Sequence, residues 1–235
     1  MIVGQQKPLD EIWRMIAPFK KVLVVGCNEC MAAAHAGGEA EVAELASQLR
    51  IRAKQEKKQL EVAEYTPKRV CEPEYIDNVL AEAKKAGADA ILSLACGVGV
   101  NAIAGKSEML MVFPAVNTSF MGASEEHGVW VEYCAGCGEC VLEFTGGLCP
   151  VARCSKGLMC GPCGGTRSTG SCEVSPDIPC IWKKILERAK MLGTVERLLG
   201  IPVFKDWSKS QSAHPRRLVR EDLRVVKESS EKGKK

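Results

Sequence analysis

Nine of the thirteen cysteines in this 235-residue chain fall between Cys134 and Cys180. That crowding constrains what the chain can fold into more than any other feature. A disulfide framework would want an even count and a short secreted chain. This chain is long enough for a core of its own, and Met1–Lys20 has neither the apolar run nor the cleavage site of a secretory leader. The expected compartment is therefore the reducing cytoplasm, where dense cysteine means metal or redox chemistry.

Charge and composition narrow the function classes. The formal net charge is +3, and aromatic residues make up only 5%. Neither a strong electrostatic footprint nor a base-stacking surface is present, so no nucleic-acid partner is expected. No apolar run approaches the ~18 residues a spanning helix needs, so no membrane span is expected. The segment Pro215–Lys235 holds eight basic and four acidic residues. It reads as a basic arm, either laid against a partner or solvated.

The first 120 residues alternate strand and helix. KVLVVGC at Lys21–Cys27 is a continuous apolar run ending in Gly-Cys, as a buried parallel strand reads. LEVAEY (Leu60–Tyr65), ADAILSLA (Ala88–Ala95) and MLMVFPAV (Met109–Val116) are further strands. Helices are expected over Pro8–Ala17, Gly38–Lys57 and Glu72–Ala86, the last stopped by Gly87. Crossover connections of this kind make a parallel sheet with helices on its faces. The fold class is α/β: a small flavodoxin- or Rossmann-like sheet over residues 1–120. An irregular cysteine-rich metal-binding domain follows over 121–200, and a C-terminal helix at Ile181–Leu192 precedes the basic arm, 201–235. Short turns wrapped around metal are expected from about Phe120 to Cys180.

Two groups of thiols carry the chemistry. Cys27 and Cys30 follow the first of these strands, Cys71 follows the second by several residues, and Cys96 follows the third directly. The carboxyl ends of parallel strands open on one edge, so these four are expected to converge. Four thiolates can hold an iron–sulfur cluster or a zinc ion; of the two thiol groups this is the one at which zinc is the more credible alternative, because the ligands are so widely spaced. The plain alternative makes Cys71 and Cys96 small buried hydrophobes. Gly97-x-Gly99-x-x-Ala102 and Gly105-Lys106-Ser107 imitate nucleotide-binding loops, but strand position and spacing are wrong for both. His35, Glu39 and His127 are candidate ligands or proton carriers whose plain reading is polar surface or capping.

The second group begins at Cys134 as C-x2-C-x2-C-x8-C-P and continues through Cys154, Cys160-x2-Cys163, Cys172 and Cys180. Thiols at every third residue of a winding loop suit the corners of a cubane better than one tetrahedral zinc, and a terminal Cys-Pro is the ferredoxin arrangement. The x8 gap departs from the ferredoxin spacing of three. Glycines throughout the block let backbone amides approach sulfur. A reactive-cysteine enzyme using Cys96 or Cys160 is disfavoured, since none of the three histidines stands in a Cys–His pattern.

The run from Cys149 to Cys180, CPVARCSKGLMCGPCGGTRSTGSCEVSPDIPC, is followed by IWKKILERAKMLG. It resembles the cysteine-rich domain of the methylenetetrahydrofolate reductase C-terminal family, whose stand-alone members are small MetV-type subunits. The resemblance is specific over Cys134–Gly193. It implies eight cluster ligands, Cys134, Cys137, Cys140, Cys149, Cys154, Cys163, Cys172 and Cys180, with Cys160 outside the set. It further implies two to three [4Fe-4S] clusters in all, with zinc the alternative at the N-terminal site. The partners implied are an electron-donor protein and a catalytic TIM-barrel subunit that binds flavin and folate. The chain itself would be a non-catalytic electron-transfer subunit; the alternative is a zinc-stabilised adaptor.

Overall fold

The computed structural model describes residues 1–107, 109–202 and 204–224. The chain divides into two compact units. Unit 1 comprises Met1–Ala135 with Val151–Arg153, and unit 2 comprises Gly136–Pro150 with the chain from Cys154 onward.

Unit 1 runs β1 (Ile2–Gln6), α1 (Leu9–Ile16), β2 (Lys21–Val25), α2 (Cys30–Ala33), α3 (Glu39–Gln55), β3 (Glu61–Tyr65), α4 (Pro73–Ala86), β4 (Ala90–Ser93), α5 (Gly97–Lys106), β5 (Met111–Pro114), β6 (Val116–Glu126) and β7 (Val129–Cys134). The expected parallel sheet is present, four-stranded, in the order β3-β2-β4-β5. β2 and β4 lie centrally and are covered on both faces, which is why Val22–Val25 and Ala90–Leu92 are buried without alternation. Ile12, Trp13 and Ile16 of α1, Val42, Leu45 and Leu49 of α3, and Ile76 and Val79 of α4 close over them. α3 begins at Gly38, whose amide donates to the Glu41 carboxylate at 2.7 Å. α4 starts with Pro73 at its first turn and ends at Gly87 in the left-handed region, φ 59°.

A second sheet was not expected. β1, β6 and β7 form an antiparallel ribbon in that order. It occupies much of the stretch after Phe120 where only turns around metal were anticipated. The alternation that would have marked it is broken by register shifts at Met121/Gly122 and Ser124/Glu126. Gly122 has its own reason: a β-carbon there would sit 2.0 Å from the Val131 carbonyl oxygen. α5 was also missed, because its first turn is built from Gly97 and Gly99. A β-carbon on Gly99 would meet Val70 at 2.4 Å, so the glycine lets the helix start lie directly on the β3–α4 loop.

Unit 2 is mostly irregular. It contributes α7 (Ile181–Leu192) and short 3-10 turns at Val195–Gly200, Trp207–Lys209 and Glu221–Leu223; of α6 (Pro150–Arg153) only the first residue belongs to unit 2 and the other three to unit 1. α7 matches its expected bounds and stops at Gly193, φ 65°. Its inner face, Ile181, Trp182 and Ile185, packs with Ile201, Phe144, Leu148 and Leu198. The Trp182 indole Nε1–H donates to the Leu158 carbonyl at 3.0 Å, and Arg188 Nε donates to the Gly146 carbonyl at 2.6 Å, so α7 pins two loops. The beginning of the arm is not free: Ile201, Lys205 and Ser210 are buried. Residues 225–235 of the arm lie outside the described residues.

The β2 and β4 ends depend on a close backbone approach at Gly37, where a β-carbon would lie 2.1 Å from the Leu94 carbonyl oxygen. Gly37→Ala is expected to destabilise unit 1 by about 1–3 kcal/mol in urea denaturation. Gly105→Ala, with open space around the added carbon, should be neutral or stabilising by up to ~1 kcal/mol.

Candidate metal centres

The edge formed by the carboxyl ends of β2, β3 and β4 gathers three of the four N-terminal thiols. Cys27 is buried just past β2, its amide donating to the Gly37 carbonyl at 2.8 Å. Cys71 lies in the β3–α4 loop, and Cys96 caps α5. The loops are tied across the edge: Asn28 N donates to the Pro67 carbonyl at 3.1 Å, Arg69 Nη2 meets Glu29 Oε1 at 3.2 Å, and Gly97 N donates to Thr118 Oγ1 at 2.8 Å. The three thiols are near enough to act on one another. Partial burial pushes the Cys71 thiol above the ordinary range, and the charges of Cys27 and Cys96 push it the same way.

Cys30, which opens α2, lines a different cavity of about 370 Å³ with Cys134, Met1, Met121 and Tyr133. Cys134 is the last residue of β7. Two thiols assigned from sequence to separate groups therefore share one sulfur-rich hollow in unit 1. Among the described residues, no three His, Cys, Asp or Glu side chains are gathered tightly enough to hold a metal ion as they stand.

In unit 2, Cys137 and Cys140 flank Glu139, and this loop is held by the start of the arm. Lys205 Nζ donates to the Glu139 carbonyl, Asp206 N donates to Glu139 Oε2 at 2.9 Å, and Lys209 Nζ lies 3.4 Å from Oε1. The Asp206 amide, with Lys209 and Lys205, holds the Glu139 carboxyl below its usual range. A β-carbon at Gly138 would strike the Lys209 carbonyl at 2.3 Å, and its φ of 82° disfavours any other residue. Cys154 and Cys180 both pack on the small core around α7. Cys149 precedes α6; Cys160, Cys163 and Cys172 lie in the loops between α6 and α7, with Cys160 Sγ donating to the Pro202 carbonyl at 3.5 Å. A tight turn brings Cys172 N to the Ile178 carbonyl at 2.7 Å and Cys180 N to the Gly170 carbonyl at 3.0 Å.

The donor set fits thiolate-bound iron–sulfur or zinc. Gly165 N donates to Cys163 Sγ at 3.4 Å, Thr166 Oγ1 lies 3.1 Å from Cys180 Sγ, and the Cys172 thiol donates to Ser155 Oγ at 3.8 Å. Hydrogen bonds aimed at sulfur are the means by which a protein stabilises thiolate charge and sets a cluster's potential. The Val174 amide, with Ser155 and Lys156, pulls the Cys172 thiol below its ordinary range. The fastening of the Cys137–Cys140 loop by Lys205, Asp206 and Lys209 was not legible in the sequence, because nothing local links positions nearly seventy residues apart.

Residues 113–208 match a family model described as methylene-tetrahydrofolate reductase C terminal. The match covers about two-fifths of the chain and every cysteine from Cys134 to Cys180. No curated protein matches the chain. Among solved structures, a Rhodospirillum rubrum protein assigned to the branched-chain amino acid ABC transporters aligns at 14% identity, TM-score 0.30, over 45% of this chain. The aligned part spans only 28% of that protein's length, and the likeness carries no argument about this one. No helix among the described residues is long and apolar enough to cross a membrane.

With metal removed, Cys71 should be alkylated by iodoacetamide more slowly at pH 8 than the same cysteine in the urea-unfolded chain. A raised thiol pKa leaves less thiolate at that pH. Cys27→Ser should speed the reaction by removing one of the two like charges. Equal rates for folded and unfolded chain, read by mass spectrometry of the Cys71 peptide, would show that the thiol is not raised, and an unchanged rate in Cys27→Ser would show that the neighbouring thiols do not act on it.

Proposed function

We propose that this chain is a non-catalytic electron-transfer subunit of a methylenetetrahydrofolate reductase complex. It would hold two to three [4Fe-4S] clusters on its thiols and serve a separate flavin-binding catalytic subunit. The observation that carries this reading is the coincidence of three features in one segment. The family match covers the cysteine block, that block has little apolar core, and polar groups already lie against its sulfurs, the Gly165 amide donating to Cys163 Sγ and the Thr166 hydroxyl hydrogen-bonded with Cys180 Sγ.

Bound to such thiols, an iron–sulfur cluster gains and loses one electron at a time. The chain's own residues hold it and set its surroundings. Cys137 and Cys140 present sulfur from a loop whose shape Gly138 permits and whose position Glu139 fixes through Lys205, Asp206 and Lys209. The Gly165 amide stabilises negative charge on Cys163, and the Thr166 hydroxyl would do the same for Cys180 once that thiol is ionised and can only accept. Reduction of a methylene to a methyl group consumes two electrons and two protons, so a one-electron carrier must deliver twice to the partner's flavin. Unit 1 supplies a second thiol group at Cys27, Cys71 and Cys96; zinc there would make that edge structural, since zinc has no redox chemistry.

Cys137→Ala tests the reading directly. Donor-linked turnover of the reconstituted complex should fall by at least the ~10–100-fold that loss of a mere supporting group costs at a metal site. Turnover of the catalytic subunit with an artificial dye should persist. Survival of both rates would contradict electron transfer through this loop. Loss of both, with the complex dissociated, would favour the adaptor reading.

A further inference from the structure

Two thiols and two thioethers from four places in the sequence, Cys30, Cys134, Met1 and Met121, line one hollow of about 370 Å³ in unit 1. The antiparallel ribbon puts two of them side by side. Met121 of β6 is the direct partner of Cys134 on β7, and Ile2 of β1 partners Met121 from the other side. Side chains of such partners share a face and stand close together. Successive residues of a regular strand point to opposite faces, yet Tyr133 and Cys134 both line the hollow. The register shift explains this: Cys134 pairs with Met121 and Glu132 with Gly122, so Tyr133 is the extra residue of a bulge. Cys30 comes from α2, which lies directly on β1, where a β-carbon on Gly4 would sit 3.1 Å from Met31 Sδ. Met31 is buried in that contact, and the helix start beside it carries Cys30 to the hollow.

The lining selects the ligand. Its other residues are Ile2, Gly122 and Tyr133, and no carboxylate or imidazole is among the described residues that line it. Hard cations such as Mg²⁺ and Ca²⁺ want a shell of oxygen donors that this lining does not supply. Zinc in a closed site takes four donors from thiolate, imidazole and carboxylate, and only two thiols are present. Thiolate with thioether is the donor set of Cu(I), a soft ion that two sulfurs can satisfy and a third can strengthen. Two thiolates around one monovalent ion leave a single net negative charge. The Arg153 guanidinium lies 4.9 Å from the centre of the Tyr133 ring, which sets a cation against that wall. Cys30 is half-buried and Cys134 exposed, so an ion can reach both from solvent.

We infer that this hollow is a Cu(I) site, with Cys30 and Cys134 as thiolate ligands and Met121 as a thioether third. Binding exchanges two S–H bonds for two S–Cu bonds and releases both protons to water. Copper stays Cu(I), so the step needs no oxidant or reductant. The site withdraws both thiols from the groups in which sequence placed them. Unit 2 still holds the other eight of the nine cysteines in the block, Cys160 now among them, the number that two four-thiolate clusters require. The inference does not depend on those clusters.

The test offers Cu(I), buffered by bathocuproine disulfonate, to the intact, anaerobically purified chain and reads copper, iron and sulfide per chain. Cys30→Ser and Cys134→Ser should each hold one copper fewer than the parent while keeping its iron and sulfide. Met121→Leu keeps both thiols and nearly the same volume. It should weaken copper by roughly tenfold, the lower end of what a supporting group contributes at a metal site. That variant keeps the test decisive should a thiol variant fail to fold. An equal copper count in the parent and both thiol variants would overturn the inference, as would copper taken up only as iron is lost. Loss of iron and sulfide in Cys134→Ser would make Cys134 a cluster ligand and overturn it too. Zinc at the same level should not distinguish the parent from Cys30→Ser; one zinc fewer in the variant would show a plain thiol chelate and contradict the choice of ion. A chain without iron that still binds this copper would defeat the electron-transfer reading and leave the copper site standing.

Discussion

Four side chains, Ile181, Trp182, Ile185 and Ile201, form the buried centre of unit 2, with Phe144, Leu148 and Leu198 partly covered around them. That is little hydrocarbon for a stretch of this length. Chains with so small a core need a staple, which in a reducing environment means metal more readily than disulfides. The rest of unit 2 follows from this constraint. Its loops turn on glycines in the left-handed region, such as Gly138, where the Lys209 backbone approaches closely, and Gly170, which lies against the Lys183 side chain. The helix α7 serves as a post to which Leu158 and Gly146 are tied by Trp182 and Arg188. The arm closes over Glu139, where an exposed end would leave the Cys137–Cys140 loop to be ordered by metal alone.

Unit 1 works the other way. Its core is ample, and its thiols are placed by topology. A parallel sheet sends every strand end to one edge, so Cys27, Cys71 and Cys96 all lie along it without a local motif. Gly37 and Gly99 allow the loops to approach closely enough for the three to influence one another. Cys30 is the exception. Opening α2 turns it toward Met1, Met121 and Cys134, so the C-x2-C pair of Cys27 and Cys30 is divided between two environments.

Much of this was legible in the sequence. The buried strands betrayed themselves as unbroken apolar runs, and α4 and α7 by their apolar spacing and terminal Gly87 and Gly193. What escaped had physical reasons. β6 and β7 pair through bulges that spoil alternation, and β1 is only five residues long. α5 opens on two glycines that propensity assigns to a turn, and packing against Val70 requires the second of them, Gly99. At the sites, the strand order brings Cys27, Cys71 and Cys96 to one sheet edge as expected, but Cys30, expected with them, lines a hollow with Cys134 instead. The attachment of Lys205 and Lys209 to Glu139, and the meeting of His35 with His127, could not be deduced. They depend on contacts between residues 66 to 92 positions apart, which no periodicity encodes.

The claim on which the account rests is that sulfur-bound clusters take the place of a core in the cysteine block. It is tested most directly by measuring iron, zinc and acid-labile sulfide per chain after strictly anaerobic purification, with EPR spectra before and after dithionite. The account predicts about eight to twelve irons with matching sulfide, and a cubane signal on reduction. Stoichiometric zinc with no iron or sulfide would contradict it, and would leave the thiols as the frame of a structural subunit.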